Sequence, residues 1–247
     1  MLKKNILQAS GNSKFENNVL GANMGYYIDL KEININKYKK ILKTADLLPS
    51  WKILEEDIDK NLDIIKKQGV QNLDELLKTL KDKSNIQRFS KQSGLPENYL
   101  AVLKRVINGY RPKPNKIKDF SCIAEDSVLT LQKLGFKNTF QLYKEILTAK
   151  KRAELSNITG ISKNEIIKLT KLSDLSRIRW VNHTFACVLL EAGFDTAEKV
   201  AHADYKKMYK TIKKLNEEKD MYKGNIGEHD MKLCVESAQG LNFEIEY

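Results

Sequence analysis

A spacing of 25 residues separates Gly69 from Gly94 and again Gly135 from Gly160, and the two occurrences lie 66 positions apart. With that shift Asn138 falls on Asn72, Gln141 on Glu75, Leu142 on Leu76, Ile166 on Leu100 and Leu169 on Leu103. Each part of the repeated stretch has a physical reading. A glycine closes a helix in the left-handed conformation without a Cβ clash. An asparagine three positions on then caps the next helix, and the Gln or Glu beyond it completes a capping box. From Asn138 one helix is expected through Leu142, Ile146 and Leu147 to Thr159, and another starts after Gly160. A looser third copy begins at Gly193, with Phe194, Thr196 and Val200 in the places of Phe136, Asn138 and Leu142. Units of this size cannot bury their own apolar faces and stack on one another to do so. The expected fold is all-α, built of tandem helical repeats.

With 247 residues, of which 41% are apolar, the chain suffices for one large or two ordinary domains. No apolar run reaches the roughly 18 residues of a membrane span. Met1 to Leu7 lacks the apolar core of a secretory signal. Cys122, Cys187 and Cys234 are odd in number and form no CxxC pair, and read as reduced core thiols in a cytoplasmic protein.

The net charge of +11 is unevenly placed. Residues 1–118 hold 23 Lys and Arg against 13 Asp and Glu, and residues 119–247 hold 20 against 19. No acid occurs between Glu97 and Asp119, where Lys104, Arg105, Arg111, Lys113, Lys116 and Lys118 surround Tyr110. Such a segment is either a phosphate-contacting surface or a solvated linker.

Along the chain, residues 1–23 read as a flexible extension rich in Asn, Gly and Ser. Tyr26 to Ile35 reads as a short strand or as an extended arm laid on the first helices. An N-terminal helical lobe with the first repeat is expected over 24–111, and a basic, proline-containing linker over 112–118. A C-terminal lobe over 119–247 would carry the second repeat and a further hairpin. No phosphate-binding glycine loop, nucleophile elbow or metalloprotease signature occurs. His183, His202 and His229 lie in different segments, and His183 with Cys187 is the single i, i+4 pair among the histidines and cysteines. The sequence therefore argues for a non-enzymatic protein with no cofactor and no metal.

The strings KLSDLSRIRWVNHTFACVLLEAGFDTAEKVAHAD, KTADLLPSWKIL, SGLPENYLAVLKRVINGYRPKPNKIKDF and TGISKNEIIKLTKLSDL resemble an uncharacterised bacterial and archaeal family, a domain of unknown function related to helix-hairpin-helix proteins. The resemblance runs roughly from Tyr26 to Leu241 and is most specific over Ser173 to Asp204. It implies tandem hairpin units, with turns at Phe120 to Ile123 and Ile178 to Ala186. In a helix-hairpin-helix element the turn glycines let backbone N–H groups approach a DNA phosphate regardless of base sequence. Here Cys122 takes a glycine place in the first turn, and Trp180 and Asn182 take such places in the second. Asn182 tolerates the left-handed conformation, while Trp180 puts a large side chain where a phosphate would come.

Two functions follow as expectations. The first is sequence-independent binding of a DNA or RNA backbone through degenerate hairpins, using Lys104, Arg105, Arg111, Lys113, Lys116, Arg177, Arg179 and Asn182. The second is a protein-interaction scaffold that has lost DNA contact and uses Trp180 as its contact residue. If the cations share one face, the first gains; if they scatter while Trp180 sits over an apolar patch, the second gains.

Overall fold

The structure, a computed structural model, describes residues 25–247, so the extension expected over 1–23 lies outside the described residues. Every named element among the described residues is helical, and β-pairing is limited to two isolated bridges. The fold is all-α. The first lobe contains α1 (Ile35–Thr44), α2 (Ile58–Lys67), α3 (Leu73–Thr79), α4 (Lys83–Ser93) and α5 (Glu97–Asn108). The second contains α6 (Glu125–Lys133), α7 (Thr139–Tyr143), α8 (Ala149–Thr159), α9 (Lys163–Leu175), α10 (His183–Glu191), α11 (Ala197–Ala201), α12 (Tyr205–Lys219) and α13 (Glu228–Gln239).

The 66-residue shift holds at the level of single hydrogen bonds. Asn72 caps α3 by accepting from the Glu75 N–H, and Asn138 caps α7 by accepting from the Gln141 N–H, both at 3.0 Å. Glu75 and Gln141 in turn accept from the N–H groups of Gln71 and Lys137, each at 2.8 Å. Gly94 and Gly160 close α4 and α8 at φ +75° and +72°, where a side chain would strain the backbone. Inside those helices the Ser90 and Ser156 hydroxyls donate to the carbonyls of Leu95 and Ile161 at 2.6 and 2.7 Å. The third copy keeps its left-handed Gly193 (φ +85°) and its cap, Thr196 accepting from the Lys199 N–H.

One expectation needs correction. The stretch from Asn138 to Thr159 is two helices, because the Thr148 hydroxyl accepts from the Lys151 N–H and starts α8 afresh. Asp82 does the same for α4 in the first copy.

The buried side chains form two clusters, one from Leu30 to Ile107 and one from Ile117 to Leu241. The arm from Tyr26 onward is not a strand of a sheet. Its start lies on the second lobe, where the Tyr26 hydroxyl meets the Thr139 hydroxyl at 2.6 Å and its ring packs edge-on to Phe140 and Tyr143. It then crosses to the first lobe, where Leu30 and Ile33 are buried and residues 33–35 pair with the backbone of 71–73. Residues 115–117, expected as linker, play the matching part for 137–139 in the second lobe.

Candidate functional site

The turn after α9 decides what the protein can offer a ligand. Asp174 near the end of α9 pairs with Arg177 at 2.7 Å, and the Arg177 guanidinium also donates to the carbonyls of Gly25, Tyr26 and Asn242. It lies over the Tyr143 ring, 5.0 Å from the centroid, and the residue is 2% exposed. Arg177, expected on a phosphate-binding face, is thus an interior tie that joins the arm and the C-terminal segment to α9. Burial raises the Tyr143 phenol above its ordinary pKa, and the nearby Arg177 charge opposes that rise.

Arg179 is also turned inward. Its guanidinium lies 4.8 Å from the Trp51 ring centroid, 5.7 Å from that of Tyr110 and 4.3 Å from that of Trp180, and it donates to the Val106 carbonyl at 3.2 Å. Burial lowers its pKa from the ordinary arginine value. The stack bridges the lobes, with Trp51 and Trp180 nearly parallel at 6.1 Å. A second bridge lies nearby, where Asp46 takes hydrogen bonds from Lys232 at 2.7 Å and His229 at 3.1 Å. The Lys232 bond and then the His229 bond hold the Asp46 carboxyl below the usual carboxylate range.

Gly109 makes the stack possible, since a Cβ built there would fall inside the Arg179 guanidinium. With two indoles and a phenol closing the other sides, the guanidinium has little room to retreat. Gly109→Ala is therefore expected to expel Arg179 and loosen Trp180, destabilising the chain by about 1–3 kcal/mol, the usual cost of overpacking. Urea denaturation together with a red shift of tryptophan emission checks this; unchanged emission would show that the stack tolerates the methyl group.

Trp180 itself has φ +67°, the left-handed region. For a bulky L-residue this conformation is an outlier costing about 1–2 kcal/mol. It falls at one of the two places in this turn expected to belong to glycine. Asn182, the other, is extended (φ −80°) and caps α10 by accepting from the Phe185 N–H at 2.9 Å. Trp180 is 48% exposed although one face of its indole is covered by Arg179 and Trp51. It stands as a ridge between two grooves. On one side a groove of about 300 Å³ is lined by Leu48, Val181, Phe185, Tyr222, Ile226 and Leu233, with Asp230 also on its wall. On the other, a groove of about 420 Å³ has walls that include Lys113, Lys116, Asp119 and Asn182. Asn115 fixes this second groove by donating to the Ser176 hydroxyl at 2.9 Å and to the Val181 carbonyl at 3.1 Å.

The expected cationic face is therefore divided. Lys113 and Lys116 are exposed beside Trp180, whereas Arg111 pairs with Asp74 at 2.8 Å. Lys104 and Arg105 line a different groove, between α4 and α5. Leu48, Tyr222 and Ile226 were not singled out from the sequence, because separate segments bring them together.

Residues 121–241 match the DUF4332 model, a domain of unknown function. The DUF4332 domain spans most of the second lobe, including α6 to α13 and the Trp180 turn. The matched region begins well after Tyr26, where the resemblance was expected to start. No curated protein and no solved structure matches the chain.

Cys122 and Cys187 correct another expectation. They are joined in a disulfide, with Cα atoms 6.3 Å apart, that ties the turn before α6 to α10. Cys234 is free and buried, and desolvation pushes its thiol up to about 12. No group of three or more His, Cys, Asp or Glu positioned for a metal occurs among the described residues, nor does a helix long and apolar enough to cross a membrane.

Proposed function

We propose that this protein is a non-enzymatic binding module that recognises a partner protein through the Trp180 ridge. The partner places an apolar side chain in the groove formed by Phe185, Tyr222 and Ile226, and turns acidic groups toward Lys113 and Lys116. The observation that carries this reading is Trp180: a half-exposed indole in a costly backbone conformation, braced from behind by Arg179 and Trp51. Strain of that kind concentrates at functional positions. A rigid aromatic anchor beside an apolar pocket is also the usual make-up of an interface hot spot.

The test is site-specific photocrosslinking from position 226 in the native host, with captured proteins identified by mass spectrometry. A partner captured by the parent chain and lost on Trp180→Ala supports the reading. Its purified form is expected to bind the variant about 30-fold more weakly, corresponding to roughly 2 kcal/mol. Equal capture by parent and variant overturns it.

A second reading rests on Lys113, Lys116 and Asn182 lining the groove beside the same indole. A single-stranded nucleic acid would stack a base on Trp180 and set phosphates on the two lysines. Kinship with helix-hairpin-helix proteins would favour this reading. The internal engagement of Arg177, Arg179 and Arg111 weighs against it. Oligonucleotide binding that falls steeply with salt and quenches Trp180 would replace the first reading with the second.

A further inference from the structure

The repeat brings a second surface into view, away from Trp180. A groove of about 630 Å³ runs between α4 and α5, and Lys83, Lys104, Arg105 and Asn108 are among its lining residues, with Glu97 as its acid. The 66-residue shift places these four on Ala149, Thr170, Lys171 and Asp174 of the second lobe. There the end of the surface formed by Lys171 and Asp174 is covered by the chain itself, while Ala149 stays exposed. Asp195 pairs with Lys171, the Ala197 N–H donates to Asp174 at 2.8 Å, and the Tyr247 hydroxyl donates to Asp174 at 3.0 Å. The Glu246 N–H donates to the Leu147 carbonyl at 2.9 Å, and with Asn242 held by Arg177 and Tyr247 by Asp174 the segment Asn242–Tyr247 lies along this edge.

In the first lobe the counterpart of Leu147 is Lys81, whose carbonyl is capped by the Lys104 ammonium at 2.6 Å. Among the described residues neither Lys83 nor Arg105 has an ion-pair partner. The Lys171–Asp174 end of this architecture is thus occupied in one lobe, by Asp195 and by the acidic, aromatic strap, while its counterpart at Arg105 and Asn108 is left open, in a groove where three cations face one acid.

We propose that the α4–α5 groove docks an extended acidic peptide segment of a partner protein. An acid would sit on Arg105 as Asp195 sits on Lys171, and a hydroxyl-bearing aromatic would reach Asn108 as Tyr247 reaches Asp174. The proposal is independent of the Trp180 reading, because the two surfaces share no lining residue.

The probe is the hexapeptide with the sequence of Asn242–Tyr247, titrated into the full isotope-labelled chain and followed by NMR. Saturable shifts at Lys83, Lys104 and Arg105 are expected. Lys104→Glu with Arg105→Glu, both at solvent-accessible positions, should weaken binding roughly tenfold or more, as should replacing both peptide glutamates by Gln. Shifts confined to the second lobe, or binding indifferent to both sets of changes, overturn the proposal. So does tighter binding of an oligothymidine at the same residues, which would make the groove a phosphate site. Concentration-dependent shifts there without peptide, together with dimerisation on sedimentation, would make the occupant a second copy and also overturn it.

Discussion

Arg177→Met is expected to cost about 3–5 kcal/mol of stability, because removing one member of a buried pair leaves the other charge uncompensated. Asp174 would keep the Ala197 N–H and the Tyr247 hydroxyl as donors but lose its counter-charge. The carbonyls of Gly25, Tyr26 and Asn242 would lose their shared donor at the same time. In a chain of this length that loss corresponds to a fall of roughly 10 °C in Tm. The substitution should also expose the arm near Tyr26 and the C-terminal segment to proteolysis before the remainder of the second lobe opens. Arg177→Lys keeps the charge but not the planar fork that reaches several acceptors, so it should recover only part of the stability. A measured loss below about 1 kcal/mol for the methionine variant would mean that the tie is not what holds these segments in place.

Reduction of the Cys122–Cys187 disulfide is expected to lower stability by about 4 kcal/mol on the chain-entropy account, in which the cross-link limits the unfolded ensemble. The bridge spans a sequence separation of 65, long enough for that effect to be large. Denaturation with and without a strong thiol reductant reads the difference. Alkylation of the unfolded chain provides the control, with one reactive thiol before reduction and three after. Identical denaturation midpoints would show that packing alone holds the turn before α6 against α10.

Much of the fold was legible in the sequence because its punctuation is local. The glycines of the spacing and the asparagines at 72 and 138 act within about four residues of backbone, and they end and start helices where the sequence placed them. The expected single helix beyond Asn138 failed for an equally local reason. Thr148 and its counterpart Asp82 are both cap-forming residue types, but each stands inside an apolar helical pattern, and only the hydrogen bond from the Lys151 N–H shows that Thr148 acts as a cap. Trp180 was legible as a residue in a glycine's place, and its left-handed backbone accords with that. The groove it overlooks was not, since Leu48 and Ile226 belong to opposite lobes.

The cations show the division most clearly. Their number and their concentration before residue 119 belong to the sequence, but which of them face solvent does not. Arg177 and Lys113 look alike in a string of residues. One is buried because carbonyls from 65, 151 and 152 positions away converge on it, and the other is exposed because none do. The same holds for Cys122 and Cys187, which no spacing rule pairs. The sequence by itself determined that a unit recurs and where its glycine corners and asparagine caps fall, because caps and left-handed glycines are set by neighbouring backbone. The tertiary structure alone decided which charges are spent inside and which surfaces remain for a partner, because burial depends on groups that only the folded chain brings together.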